Sequence, residues 1–284
     1  MNDMELRERM KEIRVITLDL DGTALIDKDH FSRRLHDDLD LLAGKGYFIV
    51  PVTGRQRFMF PAALKEPHDW NGLAVDAIGS ELYDLKNRKV IAQYPADVNA
   101  VIQLMELGKK NGLIVEAGNS ERIYAQQSDV ELEKQDERLR FHVERVLAKA
   151  GVIVENIVET MKKERPVLLK INVILKDPSQ GPLAMKLIED CGLAGSATGE
   201  TFYEVTAKNA TKAEGLRHLL EYLHLPLSSV LSFGDSENDR SILTHTGISA
   251  VMGNAPQSLR DIADVVCDTN VNDGTAKLLE EYFL

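Results

Sequence analysis

Ile13-Arg14-Val15-Ile16-Thr17-Leu18 runs directly into Asp19-Leu20-Asp21-Gly22-Thr23, so a β-branched apolar stretch stops abruptly at two carboxylates and a glycine. The apolar run reads as a buried strand bounded by a turn signal. Polar residues at the carboxyl end of such a strand occupy the place where open parallel sheets bind their ligands. Asp19 and Asp21 stand two apart, and if extended geometry persists through Leu20 their side chains emerge on the same side. Such a pair could hold a cation, or one member could attack an electrophile while the other moves a proton. A solvated Asp-Gly turn is the plain alternative, because both residues favour turns.

Downstream, Leu35, Leu39 and Leu42 recur at helical spacing among charges, which predicts a helix over 32–43 with Gly44 or Gly46 to end it. Residues 47–52 then predict a second strand that stops at Thr53-Gly54-Arg55. Strand, helix and strand in this order make the βαβ unit of a parallel sheet. The alternation returns late in the chain, with a helix over about 212–223 and a strand over 230–233 before Gly234-Asp235-Ser236-Glu237-Asn238-Asp239. Short elements follow at 248–252 and 264–267, then a closing helix from Gly274. The stretch between has another texture. Strand-like runs at 90–94, 114–116, 123–126 and 167–175 mix with helical patterns near 98–110, 130–150 and 182–191. The expected fold is therefore α/β, with a discontinuous parallel-sheet domain over 1–81 and 200–284 and an inserted α+β module over 82–199.

Each strand end carries its own chemistry. Thr53, Gly54 and Arg55 offer a hydroxyl, an unobstructed backbone N–H and a cation, a set that suits phosphate oxygens, although a Thr-Gly helix start with a surface arginine has the same spelling. Asp235, Asn238 and Asp239 supply the hard oxygen donors that Mg²⁺ prefers, and acidic residues also gather at helix starts for capping reasons. Lys212 opens a helix, where a cation opposes the macrodipole and wants an anionic partner. The aromatic and proline-rich stretch 56–72, with Phe58, Phe60, Pro61, Pro67 and Trp70, reads as packing.

With 45 acidic against 34 basic residues, the net charge of -11 argues against general affinity for nucleic-acid backbone. A small phosphate ester is still compatible, because a metal ion and a few local donors can hold it. Cys191 and Cys267 form no CxxC or Cys/His cluster and are expected as buried thiols. The greasiest segment, 167–175, is short and interrupted by Lys170, so no membrane span is expected. The first fourteen residues are dense in charge and lack a signal-peptide core, which points to the cytoplasm.

Taken in order, DLDGT at Asp19, TGR at Thr53, Lys212 at a helix start and GDSEND at Gly234 resemble the four signature motifs of the haloacid dehalogenase superfamily. The large insertion between the second and third motifs is similar to the cap of its Cof-like phosphatase branch. Val251-Met252-Gly253-Asn254-Ala255 and Asn272-Asp273-Gly274-Thr275 resemble recurring segments of that branch. One departure stands out: related chains often carry Asn-Gly just before the cap, where this chain has Ala77-Ile78-Gly79-Ser80-Glu81.

The resemblance implies a Rossmann-like core under a mobile cap and hydrolysis of a small phosphomonoester, a sugar phosphate or similar metabolite. Asp19 would be the nucleophile that forms a phospho-aspartate, and Asp21 the general acid and base. Mg²⁺ would be held by Asp19, the Asp21 carbonyl and Asp235, with Asp239 in support. Thr53, Gly54, Lys212 and Asn238 would surround the phosphoryl group. A phosphomutase or phosphotransferase would use the same aspartyl phosphate, but most carry a helical cap near the first motif, where this chain has only a short segment. A non-catalytic binding module should lack a motif residue, and all are present. No G-x-x-x-x-G-K-[ST] sequence supports a P-loop hydrolase. Substrate choice would lie in cap loops, with 119–122 and 195–201 as candidates.

Overall fold

The computed structural model describes residues 3–66, 68, 70 and 72–284, so Pro67 of the aromatic stretch lies outside the described residues. The chain divides into two compact units, one of residues 1–55, 60–92 and 212–284, the other of residues 56–59 and 93–211.

The first unit is organised on a five-stranded sheet in the order Val265–Val266, Ile248–Val251, Val230–Gly234, Val15–Leu18, Phe48–Pro51. All of its pairings are parallel. Leu18 aligns with Phe233 on one side and Pro51 on the other, so the three motif-bearing strands end level. Ile16 and Leu18 enter one apolar cluster and Val15 another, on the opposite face. Burial on both faces is the physical reason for a continuous rather than alternating apolar run. The helix Arg33–Gly44 covers one face through Leu35, Leu39 and Leu42, and Ser32 caps it by accepting from the Leu35 N–H at 3.0 Å. The helix Lys212–Leu223 covers the other through Leu216, Leu219 and Leu220.

A three-stranded sheet, Leu73–Asp76, Glu81–Asp84 and Lys89–Gln93, continues the first unit through a parallel bridge between Val52 and Val75. Because these strands pair back onto the core, the second unit sets off at 93 rather than at the expected 82. At its other end the strand Phe202–Ala207 pairs with Lys170–Ile174, which carries the unit to 211 instead of 199. Phe60 and Trp70 are buried in the core, whereas Phe58 packs on a cluster of the second unit. Cys191 is buried as expected, but Cys267 keeps partial exposure, just after the two-residue edge strand Val265–Val266.

The second unit has a six-stranded sheet in the order Leu193–Ala197, Phe202–Ala207, Lys170–Ile174, Ile114–Gly118, Ile123–Gln126, Gly151–Val154. Its pairings are antiparallel except the last, where Ile123–Gln126 runs parallel to Gly151–Val154. Val98–Lys110, Ile157–Glu164 and Gly181–Asp190 supply helices to one apolar cluster with Val115, Ala117, Ile171 and Val173. The charged segment expected as one helix over 130–150 is broken at Asp136, whose extended backbone separates Gln127–Gln135 from Glu137–His142. Two candidate specificity loops are smaller than expected. Residues 119–122 form a hairpin turn in which the Asn119 side chain accepts from the Glu121 and Arg122 N–H groups, and Gly195 to Ala197 belong to a strand. Among the described residues no helix is long and apolar enough to cross a membrane.

Gly215 shows how tightly the first unit holds its elements. A Cβ there would lie 2.5 Å from Val75 Cγ1 and 2.6 Å from the Gly79 Cα. Backbone cannot yield as a side chain end can, so Gly215→Ala is expected to cost about 1–3 kcal/mol through overpacking. Chemical denaturation compared with wild type checks this, and an unchanged midpoint would contradict the close approach.

Candidate active site

Asp19 follows the strand Val15–Leu18 and is nearly buried, at 5% exposure. Its carboxylate Oδ1 accepts from Lys212 Nζ at 2.6 Å, and Lys212, itself fully buried, donates equally closely to Asp239 Oδ1. The other oxygen of Asp239 accepts from the backbone N–H groups of Asp235 and Ser236, both at 3.1 Å. Asp239 therefore folds the Gly234-to-Asp239 loop around itself while orienting the lysine. Gly234 is required for this, since a Cβ would meet the Asp239 side chain at 2.6 Å.

Asp235 stands beside this pair. Its Oδ1 accepts from the Thr23 hydroxyl at 3.2 Å and its Oδ2 from Asn254 Nδ2 at 3.3 Å. Asn254 also donates to the Gly22 carbonyl at 2.9 Å and accepts from the Asn270 N–H at 3.1 Å. Gly22 has a φ of +74°, and a Cβ there would strike Asp235 Oδ2 at 2.3 Å. The glycine of the DLDGT motif is thus needed twice, for its left-handed backbone and for the closeness of the second carboxylate.

Carboxylate oxygens of Asp19, Asp235 and Asp239 come within 4.8 Å of one another. One buried ammonium cannot balance three carboxylates. Burial, against the pull of Lys212 and with Asp239 and Asp235 adding to it, pushes the Asp19 carboxyl well above its ordinary value. Burial and Asp239 push Asp235 up to about 6. Burial alone would lower Lys212, but Asp19 and Asp239 hold it above the usual lysine range. Asp239 spends both oxygens on Lys212 and backbone N–H groups, which leaves Asp19 and Asp235 as the pair suited to a hard divalent cation. The donor set fits Mg²⁺.

Asp21 takes a different path. The chain leaves the strand after Leu18 in a wide turn, with the Ala24 N–H donating to the Asp19 carbonyl at 3.2 Å and the Leu25 N–H to the Leu20 carbonyl at 2.9 Å. The Asp21 side chain is 61% exposed and lies outside the carboxylate cluster, paired in bidentate fashion with Arg55 at 2.8 and 2.6 Å. Arg55, grouped in the sequence with phosphate-binding donors, also lies 3.8 Å from Asp29. Sequence spacing could not show this pairing, because it depends on two strand ends meeting.

Thr53 is buried and accepts from the Arg55 N–H at 3.1 Å, while its own N–H donates to the Val75 carbonyl at 2.9 Å. The next turn clamps it: the Ala77 and Ile78 N–H groups donate to the Arg55 and Thr53 carbonyls at 2.9 and 3.0 Å. Ala77, Ile78 and Gly79 all have positive φ, of 47°, 63° and 100°. For β-branched Ile78 that conformation is strained. This is the segment that departs from the usual Asn-Gly, and it serves here to lock Thr53-Gly54-Arg55 at the strand end. Asn238 accepts from the Ser236 hydroxyl at 2.8 Å. Asn254 and Thr23 were missed as site residues. The threonine of DLDGT and the Gly253-Asn254 pair were the available signals, and only the packing of the C-terminal segment joins them.

The model of the haloacid dehalogenase-like hydrolases matches residues 16–279. A Bacillus subtilis 5-amino-6-(5-phospho-D-ribitylamino)uracil phosphatase, YcsE, is 24% identical over 282 residues, covering 99% of this chain and 100% of its own. Among solved structures, the phosphatase BT1666 from Bacteroides thetaiotaomicron superposes with a TM-score of 0.78 at 25% identity, covering 95% of each chain. The subclass IIB sugar phosphatase BT4131 superposes with a TM-score of 0.77 at 20% identity, covering 95% of this chain and 98% of its own. With the family model spanning nearly the whole chain, and its fold and strand-end motifs in place, this protein belongs to the haloacid dehalogenase-like hydrolases, in the Cof-like branch with a large α/β cap.

Proposed function

We propose that the protein is a Mg²⁺-dependent phosphatase that hydrolyses a small phosphomonoester through a phospho-aspartate on Asp19. The observation that carries this reading is the buried Asp19 carboxylate held on Lys212 beside Asp235. A sugar phosphate or a phosphorylated sugar-alcohol derivative is the substrate class, in keeping with the activities of YcsE and BT4131.

An Asp19 oxygen attacks phosphorus as the bond to the leaving oxygen breaks, and the leaving alkoxide takes a proton from the Asp21 carboxyl. Asp21 then takes a proton from water, the resulting hydroxide attacks phosphorus, and the aspartyl bond breaks to release inorganic phosphate and regenerate Asp19. Asp19 and Asp235 would hold Mg²⁺, which would supply the positive charge that lets a carboxylate approach an anionic phosphate. Lys212 adds its ammonium to the equatorial oxygens, while Thr53, the Gly54 N–H and Asn238 orient them. Asp21 is exposed and so can exchange protons with solvent, but it works only once its bidentate pairing with Arg55 opens.

Asp19→Asn is expected to lower phosphate release by on the order of 10⁴-fold or more while leaving the fold intact. Release without an added acceptor, measured over a panel of phosphorylated metabolites with this variant as control, tests both hydrolysis and substrate class. A near-normal rate in the variant sinks the mechanism.

A second expectation concerns pH. The Asp235 carboxyl has its folded pKa raised from 3.8 to about 6, so its contribution to stability is fully present below the unfolded value and is lost as pH rises through about 6. Asp19 shifts in the same direction. A cation that binds the ionised carboxylates should therefore restore stability at neutral pH and compete with protons below about 6. Melting temperatures with and without Mg²⁺ should diverge at pH 7.5 and converge towards pH 5; a gap independent of pH would contradict the assignment of Asp235.

A further inference from the structure

The second unit contains a polar cluster that the phosphatase reading does not use. Glu116 on the strand Ile114–Gly118 and Asn172 on Lys170–Ile174 are directly opposite each other in the antiparallel register. Their strand neighbours Val115, Ala117, Ile171 and Val173 fill the apolar cluster on one face, so alternation directs Glu116 and Asn172 to the other. Glu133 from Gln127–Gln135 and His142 from Glu137–His142 meet them there. Exposures of 1% for Glu116, 0% for Glu133, 7% for His142 and 4% for Asn172 place the group away from water. Ile114, Leu139 and Ile174 form an apolar cluster on the same face, and the Phe202 ring lies 5.3 Å from that of His142.

The internal hydrogen bonds do not satisfy this group. His142 Nε2 is 2.7 Å from Glu116 Oε2, which also accepts from Asn172 Nδ2 at 3.2 Å. Glu116 Oε1, Asn172 Oδ1 and both oxygens of Glu133 have no hydrogen-bond partner. Among the described residues no lysine or arginine pairs with either glutamate. Two buried carboxylates without a compensating cation are strongly unfavourable. Burial, with Glu116 and Asp129 beside it, pushes the Glu133 carboxyl up to about 9.

Ligand atoms of Glu116, Glu133 and His142 lie within 4.8 Å of one another, and the unpartnered Asn172 Oδ1 comes from the residue bonded to Glu116. We infer that Glu116, Glu133 and His142, with Asn172 as a fourth donor, form a buried site for a divalent transition ion, zinc foremost. One imidazole and three oxygens suit four-coordinate Zn²⁺, whereas Mg²⁺ and Ca²⁺ favour all-oxygen shells. The ion would neutralise the two carboxylates and tie the helix pair around Asp136 to the sheet.

The test uses the full-length protein, stripped by a chelator and then given excess Mg²⁺ to occupy Asp19 and Asp235. Zn²⁺ is titrated calorimetrically, and bound zinc is counted by elemental analysis after gel filtration. Wild type and Asp235→Asn should each retain one zinc equivalent, and Glu133→Gln and His142→Gln should each bind it more than about tenfold more weakly. Glu133→Gln removes a buried charge at constant shape, so it should fold, which circular dichroism verifies; His142→Gln provides an independent second variant. Co²⁺ in place of zinc should give visible absorption in wild type that both variants lose. If Glu133→Gln and His142→Gln bind zinc as wild type does, the equivalent belongs elsewhere, for example at His36, Asp40 and His68, and the inference fails. It fails equally if wild type binds no zinc beyond what Asp235→Asn removes, in which case Glu116 and Glu133 share a proton instead of a metal.

Discussion

A fully buried ammonium between two carboxylates is the constraint on which the catalytic unit depends. Lys212 donates to Asp19 and Asp239 at 2.6 Å each and has no exposure of its own. A cation at the start of the helix Lys212–Leu223 opposes the helix dipole and has lost its water, so these two anions are what make it tolerable. Removing the lysine would leave its two buried carboxylates uncompensated. The surrounding glycines follow from the same demand for closeness. Gly234 lets Asp239 turn back on its own loop, Gly22 admits Asp235, and Gly215 seats the lysine's helix against Val75 and Gly79.

That arrangement overshoots in charge. Three carboxylates face one ammonium, and burial, with the neighbouring carboxylates adding to it, raises the pKa values of Asp19 and Asp235. The imbalance is the physical link between the fold and the proposed metal dependence. The two aspartates of DLDGT are also placed in opposite environments. Asp19 is shielded and fixed on a lysine, while Asp21 is exposed and paired with an arginine. A nucleophile gains from exclusion of water and a proton carrier from access to it, so the difference in environment suits the roles proposed for the two residues.

Much of this was legible beforehand because strand ends in a parallel sheet are punctuated in the sequence. The apolar run before Asp19, the helical spacing of Leu35, Leu39 and Leu42, and the helix opening at Lys212 all correspond to observed elements. The inserted unit was harder to read. Leu193–Ala197 carries Gly195 and Ser196, which look like loop residues, yet it is a strand because it pairs with Phe202–Ala207 along its whole length. The break at Asp136 was likewise hidden within a charged, helix-like composition. There the Asp136 side chain accepts from the Arg138 N–H, capping a new helix and ending the old one.

From sequence alone came the α/β class and the four motifs, since local periodicity and turn chemistry are written in short windows, while the resemblance to the haloacid dehalogenase superfamily implied that Asp19, Lys212, Asp235 and Asp239 belong together. What only the tertiary structure decided was which charges face one another. The pairing of Asp21 with Arg55, the support of Asp235 by Thr23 and Asn254, and the meeting of Glu116, Glu133, His142 and Asn172 all join residues on separate elements. Electrostatic energy depends on distance and burial, and neither is set until distant segments of the chain have packed.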